Sequence, residues 1–211
     1  MFDLSLYVIT DREMAGNRPL EEVVKAALEG GATVIQLREK ELCDREIFTI
    51  GMKIKPLIEK AGVCFIINDR IDLALALDAD GVHLGQRDLP LNTARKLMGD
   101  KKIIGISVKT VEEADIAEAN GADYLGIGSI YPTKTKKDIG PIGGPQRISQ
   151  IRKAVSLPIV GIGGIQVHNV KDVIRAGADG IAVVSAVMAA PDITEACRAL
   201  KKEVLRAKEK I

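Results

Sequence analysis

The sequence predicts an α/β fold, a (β/α)8 TIM barrel of parallel strands ringed by helices, in a single domain over residues 1–211. Three observations predict it. Short aliphatic runs recur near residues 5–10, 33–37, 63–68, 81–84, 103–107, 124–128, 159–162 and 180–184. Such continuous apolar runs mark parallel strands covered by helices. Helical periodicity fills most of the gaps between them. Finally, a small phrase recurs just before several runs: Gly30-Gly31-Ala32, Ala79-Asp80-Gly81, Gly121-Ala122-Asp123 and Gly177-Ala178-Asp179-Gly180. Glycine supplies the left-handed conformation that closes a helix, and recurrence at roughly 20–50 residues reads as repeated βα units. About eight units favour a closed barrel over an open sheet. No G-x-G-x-x-G follows the first run, as a dinucleotide-binding sheet would require.

The elements follow in order. After the first strand, Leu20, Val23, Val24, Ala27 and Leu28 share one helical face, and Ile47, Ile50, Ile54, Leu57 and Ile58 share the next. Ala114, Ile116, Ala117 and Ala119 mark a later helix, and Val170, Val173, Ile174 and Ala176 another. The last helix, from about Asp192 to Lys208, opens on the start signal Pro191-Asp192. Segment 131–145, rich in Pro, Gly and Lys, is read as an irregular loop after the sixth strand.

Composition narrows the function classes. Hydrophobic residues make up 46% of the chain and aromatics 3%, with no Trp, so the core must be aliphatic. The formal net charge of +1 argues against nucleic acid or an anionic membrane as partner, so affinity for anions must be local. Cys43, Cys64 and Cys197 are odd in number, widely spaced and without CxxC spacing; a reducing cytoplasmic setting is expected rather than disulfides or zinc. No basic leader or long apolar helix is read, which sets secretory and membrane readings aside.

Nearly every apolar run stops at a residue able to do chemistry, and parallel strands gather those residues on one rim. Gln36, Arg38 and Lys40 stand two apart and share one face of a strand, with Leu37 and Glu39 on the other. Arg and Lys there suit phosphate oxygens, although a solvated strand end pairing with nearby Glu is also open. Asp69 and Asp88 end adjacent strands, about 4.8 Å apart in a sheet. Two such carboxylates can hold one Mg²⁺ and leave its other positions to water and phosphate. Asp69 could instead cap the next helix. Gly161-Ile162-Gly163-Gly164 and Val183-Val184-Ser185-Ala186 end the last two runs, where barrels of this kind usually bind phosphate. Thr133, Thr135 and Lys136 could close over an anionic substrate, with Lys134 facing away. Ser107 could donate to a leaving oxygen or a ring nitrogen. His83 has no recognisable Ser or Cys partner and reads as a hydrogen-bonded structural residue; His168 reads as surface.

Taken together the chain resembles the thiamine phosphate synthase family. The resemblance runs over about residues 6–188 through Tyr7-Val8-Ile9-Thr10-Asp11, Gln36-Leu37-Arg38-Glu39-Lys40, Asn68-Asp69-Arg70, Gly81 to Asp88, Gly105-Ile106-Ser107, Pro132 to Lys136, Gly161 to Ile165 and Ala182 to Ala186. Lys109 departs from it, where the family often carries His. The resemblance implies condensation of 4-amino-5-hydroxymethyl-2-methylpyrimidine diphosphate with 4-methyl-5-(2-hydroxyethyl)thiazole phosphate, two phosphorylated small molecules, with loss of pyrophosphate. It implies that Gln36 to Lys40 (Leu37 and Glu39 included), Asn68, Ser107 and Lys136 bind the pyrimidine diphosphate, with Arg38, Ser107 and Lys136 catalytic. Asp69 and Asp88 would hold Mg²⁺. Thr133, Lys134, Thr135, Gly164, Val184 and Ser185 would bind the thiazole phosphate. A thiazole tautomerase-like isomerase and a non-catalytic phosphate-binding regulator on the same fold remain as alternatives.

Overall fold

The computed structural model describes residues 2–16, 18–133, 135 and 141–209. Lys134 and Lys136, each given a role above, lie outside them. Eight parallel strands close a barrel in chain order: β1 (Leu6–Ile9), β2 (Val34–Leu37), β3 (Cys64–Asn68), β4 (Gly81–Leu84), β5 (Ile103–Val108), β6 (Tyr124–Ile127), β7 (Ile159–Ile162) and β8 (Gly180–Val183). Tyr7 pairs with Val34 on one side and with Ala182 on the other, so β1 seals the ring. The observed strands lie within the expected runs, with Val108 extending the fifth.

The outer ring comprises α1 (Arg12–Ala15), α2 (Leu20–Glu29), α3 (Asp44–Lys60), α4 (Ile71–Ala76), α5 (Leu91–Met98), α6 (Val111–Ala119), α7 (Gly144–Arg152), α8 (Val170–Arg175), α9 (Ser185–Met188) and α10 (Ile193–Lys208). At α10 the Asp192 side chain accepts from the backbone N–H of Glu195, which satisfies one of the donors a helix start leaves open. The sequence offers no separate forecast for α1, α4, α5, α7 and α9; in α1, α4 and α9 one or two turns carry too few residues to display a 3.6 period.

Alternation along each strand makes two cores. Leu6, Val8, Ile35, Leu37, Phe65, Ile67, Val82 and Leu84 pack outward under the helices. Tyr7, Ile9, Val34, Ile66, Tyr124, Val160 and Ala182 fill the barrel. Two of the three tyrosines therefore supply the interior of an otherwise aliphatic protein. Room for them comes from glycine: a Cβ on Gly105 would lie 2.1 Å from Cζ of Tyr124, and one on Gly126 would lie 3.0 Å from Cε1 of His83. Phe2 closes the lower end, edge-on to Tyr124 with ring centroids 5.7 Å apart.

The repeated phrase before the even-numbered strands has a physical task. Asp80 accepts from the backbone N–H of Phe65 at 2.7 Å, Asp123 from Ile104 at 2.7 Å and Asp179 from Ile159 at 2.8 Å. Thr33 plays the same part for Leu6 at 3.0 Å. Each side chain ties the start of the preceding strand to its own, satisfying a main-chain donor that the ladder leaves over. The left-handed turn beforehand falls on Gly31, Gly121 and Gly177, and on Asp78 in the remaining unit.

Candidate active site

At the C-terminal rim of the barrel a cavity of about 700 Å³ opens. It is lined by Lys40, Asn68, Asp69, Asp88, Ser107 and Lys109 on one side, and by Gly163, Gly164, Val184, Ser185 and Ala186 on the other. Thr133 and Thr135 also line it. A smaller recess shares Asn68, His83, Ser107 and Gly126 with it and reaches Tyr7, Gln36 and Arg38.

The residues of β2 divide by pleat. Gln36 is 2% exposed and points into the barrel, where its Nε2 donates to the Tyr7 hydroxyl at 2.7 Å. Arg38 is mostly buried: its Nη1 lies 3.5 Å from Asp11 Oδ2, its backbone N–H donates to Thr10 Oγ1, and its buried Nε has no acceptor among the described residues. A buried guanidinium with a donor to spare is suited to receiving an anion. Leu37 and Glu39 are a correction to the expected set. Leu37 packs outward beneath the helices, and neither its side chain nor that of Glu39 lines the cavity or its recess. Burial first, with Asp11 adding to it, raises the Glu39 carboxyl above its ordinary range.

Asp69 does not cap the following helix. The cap position of α4 is Arg70, which makes no side-chain capping bond, while Asp69 adopts φ 62°, a left-handed conformation uncommon outside glycine. Its N–H donates to His83 O at 2.9 Å, and its carboxylate pairs with the Lys40 ammonium on the cavity wall that Asp88 shares. Burial pushes the Asp69 carboxyl up, but Lys40 and Asp88 together hold it below the usual range. Asp88 moves the other way, raised by burial first and then by the neighbouring Asp69 charge, although Gly85 N–H donates to it at 2.6 Å. Two carboxylates on one wall, one of them ion-paired, form a site of concentrated negative charge. No group of three or more His, Cys, Asp or Glu able to hold a metal occurs among the described residues.

On the opposite wall Gly164 sits at φ +65°, and a Cβ there would lie 2.4 Å from Pro132 O, so neither the turn nor the space admits a side chain. Val184 and Ser185 start α9, whose first-turn N–H groups have no intrahelical acceptor. Thr133 Oγ1 donates to Thr135 Oγ1 at 3.1 Å and accepts from the Thr135 N–H at 3.2 Å.

His83 is the residue whose setting differs most from expectation. It has a serine partner: Nε2 is 2.9 Å from Ser107 Oγ, and Nδ1 is 2.9 Å from the Tyr124 hydroxyl. Tyr124 in turn lies 2.8 Å from the Tyr7 hydroxyl. Gln86 Nε2 donates to Ser107 O at 2.8 Å, steadying the end of β5. Tyr124 has no place in the sequence reading, Tyr7 enters it only within a family phrase, and Gln86 has no assigned role there. The available signal was the inward pleat, which places Tyr7, His83, Ser107 and Tyr124 on barrel-facing positions of four strands.

Comparison with known proteins gives a consistent set of relatives. Residues 6–187 match the family described as thiamine monophosphate synthase. The thiamine-phosphate synthase of Moorella thermoacetica is 53% identical over 205 residues, covering 97% of this chain and 98% of that one. That of Methanospirillum hungatei is 53% identical over 196 residues, covering 93% and 95%. Among solved structures, thiamine phosphate pyrophosphorylase from Pyrococcus furiosus superposes with a TM-score of 0.89 at 44% identity, covering 97% of each chain.

Proposed function

The chain belongs to the thiamine monophosphate synthase family, and on that premise we propose how its cavity performs the joining reaction. It is a transferase that makes thiamine phosphate from the pyrimidine diphosphate and the thiazole phosphate. The C–O bond between the pyrimidine methylene and the diphosphate breaks with its electron pair going to the leaving oxygen. The aminopyrimidine ring delocalises the positive charge left on carbon. The thiazole nitrogen then gives its lone pair to that carbon, and pyrophosphate departs.

The observation that carries this reading is the division of one cavity into two unlike walls. The ends of β2 to β5 bring cations, carboxylates and a hydroxyl, which suits a diphosphate that gains charge as it leaves. The ends of β7 and β8 bring a glycine turn and the main-chain N–H groups of the first turn of α9, which suits a phosphate held at a fixed place. Arg38 and Lys40 would neutralise the diphosphate, with Gln36, Asn68 and Ser107 orienting the pyrimidine. Gly164, Val184, Ser185 and the threonines would seat the thiazole phosphate so that its nitrogen faces the methylene carbon. Holding both reactants in line converts a bimolecular step into an intramolecular one. Lys134 and Lys136 join these walls on the strength of the family resemblance. For Leu37 and Glu39 only main-chain contact is compatible with where their side chains lie.

The Asp69 and Asp88 pair fits Mg²⁺: both are hard oxygen donors, two suffice, and the remaining positions go to water and substrate phosphate. When bound there, Mg²⁺ supplies Lewis-acid neutralisation of the leaving pyrophosphate. No described helix is long and apolar enough to cross a membrane. We place the protein in a reducing cytoplasm, with residues 1–211 acting as one domain, on the odd number and wide spacing of Cys43, Cys64 and Cys197.

The test is an assay of purified protein with both substrates, following pyrophosphate and thiamine phosphate. Equal amounts of the two are expected. Interconversion of thiazole phosphate tautomers without pyrophosphate release would favour the isomerase instead.

A further inference from the structure

We infer that a directional hydrogen-bond relay through the barrel, Gln36–Tyr7–Tyr124–His83–Ser107, holds His83 as its Nε2–H tautomer and thereby presents the Ser107 hydroxyl to the cavity as a donor. This deepens the reading above and rests on it for its catalytic consequence. Tyr124 and His83 are then positioning residues for Ser107. The relay joins β2 to β5 through residues that the chain separates by up to 117 positions.

The polarity follows from counting protons. An amide nitrogen can only donate, so Gln36 Nε2 gives its hydrogen to the Tyr7 oxygen at 2.7 Å. Tyr7 has one proton to place in a buried setting, and the Tyr124 oxygen 2.8 Å away is its remaining hydrogen-bond partner among the described residues, so the relay runs from Tyr7 to Tyr124. Tyr124 passes its own proton towards His83 Nδ1 at 2.9 Å. A neutral imidazole that accepts at Nδ1 carries its hydrogen on Nε2. That hydrogen goes to Ser107 Oγ, also at 2.9 Å. With its oxygen accepting, Ser107 keeps a proton for which no acceptor exists among the described residues, and Ser107 lines the cavity. The hydroxyl therefore selects an acceptor on the substrate, such as a leaving-group oxygen or a ring nitrogen, over a donor such as an amino group.

The middle of the relay is sealed. Tyr7 is 1% exposed and Tyr124 is fully buried, so water does not compete with either bond. Burial above all pushes both phenols far above their ordinary ionisation range, which keeps a proton on each oxygen. Tyr124 lines neither the cavity nor its recess, so it can act on the reaction only through His83. The two interior glycines at 105 and 126 make the space that lets both rings stand in line.

The experiment uses the whole wild-type protein labelled with ¹⁵N-histidine. Only two histidines are present, and exposed His168 serves as the reference. Long-range ¹⁵N–¹H correlation at a pH where His83 is neutral should show the Nε2–H pattern. A dominant Nδ1–H pattern would overturn the relay, because it means the opposite polarity with Gln36 accepting and Ser107 donating inward. Tyr124→Phe should redistribute the His83 tautomers and lower kcat roughly threefold to tenfold, the weight of one neutral hydrogen bond, with KM unchanged. A Tyr124→Phe protein with the wild-type tautomer pattern and kcat also overturns it. If wild-type protein makes no thiamine phosphate, the functional reading fails, and the tautomer measurement still decides the relay.

Discussion

Gly105 on β5 faces the Tyr124 ring on β6 so closely that a Cβ would fall 2.1 Å from Cζ and 2.4 Å from the hydroxyl oxygen. The ring cannot swing aside, because its hydroxyl is held by Tyr7 and His83. Gly105→Ala is therefore expected to destabilise by roughly 1–3 kcal/mol, the usual consequence of forcing a methyl into a packed core. In a chain of this size each kcal/mol lowers Tm by about 2–4 °C. Urea unfolding should show a lower midpoint with unchanged slope; an unaltered midpoint would mean that the interior repacks freely.

Asp123 links two strands at the opposite end of the barrel from the cavity. Its Oδ2 accepts from the Ile104 N–H at 2.7 Å and from Arg95 at 2.6 Å. Asp123→Ala leaves the main-chain donor unsatisfied and should cost about 1–3 kcal/mol. Asp123→Asn keeps an acceptor and should cost less. Turnover by the folded fraction should be unaffected, since residues at the bottom of such barrels serve stability. Loss of turnover in stable protein would contradict that separation.

The carboxylate pair predicts a metal requirement. Asp69→Asn and Asp88→Asn should each reduce pyrophosphate release on the order of a hundredfold or more, in keeping with the several kcal/mol that a metal contributes at a leaving phosphate. Wild-type turnover should vanish in excess chelator and return with Mg²⁺. Full activity in chelator would remove the metal assignment and leave Lys40 and Asp69 as a simple ion pair.

The two walls should be separable by binding. Arg38→Ala is expected to weaken the pyrimidine diphosphate roughly tenfold to a hundredfold, the range for a hydrogen bond to a charged group, and to leave the thiazole phosphate nearly unaffected. Gly164→Ala should do the reverse, because its Cβ would close on Pro132 O. Calorimetric titration of each ligand into each variant gives the answer. Equal losses for both ligands would mean that the cavity is not partitioned in this way.

The thiols should differ sharply in reactivity. Cys43 is exposed, Cys64 half-buried and Cys197 buried. Burial pushes the Cys197 thiol up to about 12, and burial with a smaller contribution from Asp80 does the same for Cys64. The thiolate is the reactive form, so native protein near pH 8 should release one equivalent of a disulfide reagent's chromophore quickly. All three should react after denaturation. Rapid labelling of Cys197 in native protein would show that α10 opens from the barrel.

Some of this molecule was written in local signals. Eight aliphatic runs, the phrase before the even strands and the polar residues at the run ends are short-range patterns, and a strand's pleat then sorts inward from outward side chains. That is why Gln36, Arg38, Lys40, Asn68, Asp69, Asp88, Ser107 and Gly164 could be named in advance as rim residues. The same pleat puts the side chains of Leu37 and Glu39 on the face away from Gln36, Arg38 and Lys40. Barrel closure decided the rest. Partners such as Tyr7 and Tyr124, or His83 and Ser107, meet because eight strands close with one particular register, and no local pattern encodes which residue lies across a closed ring. The Asp80, Asp123 and Asp179 ties have the same origin: their sequence phrase was visible, but the main-chain donor that each satisfies belongs to another strand.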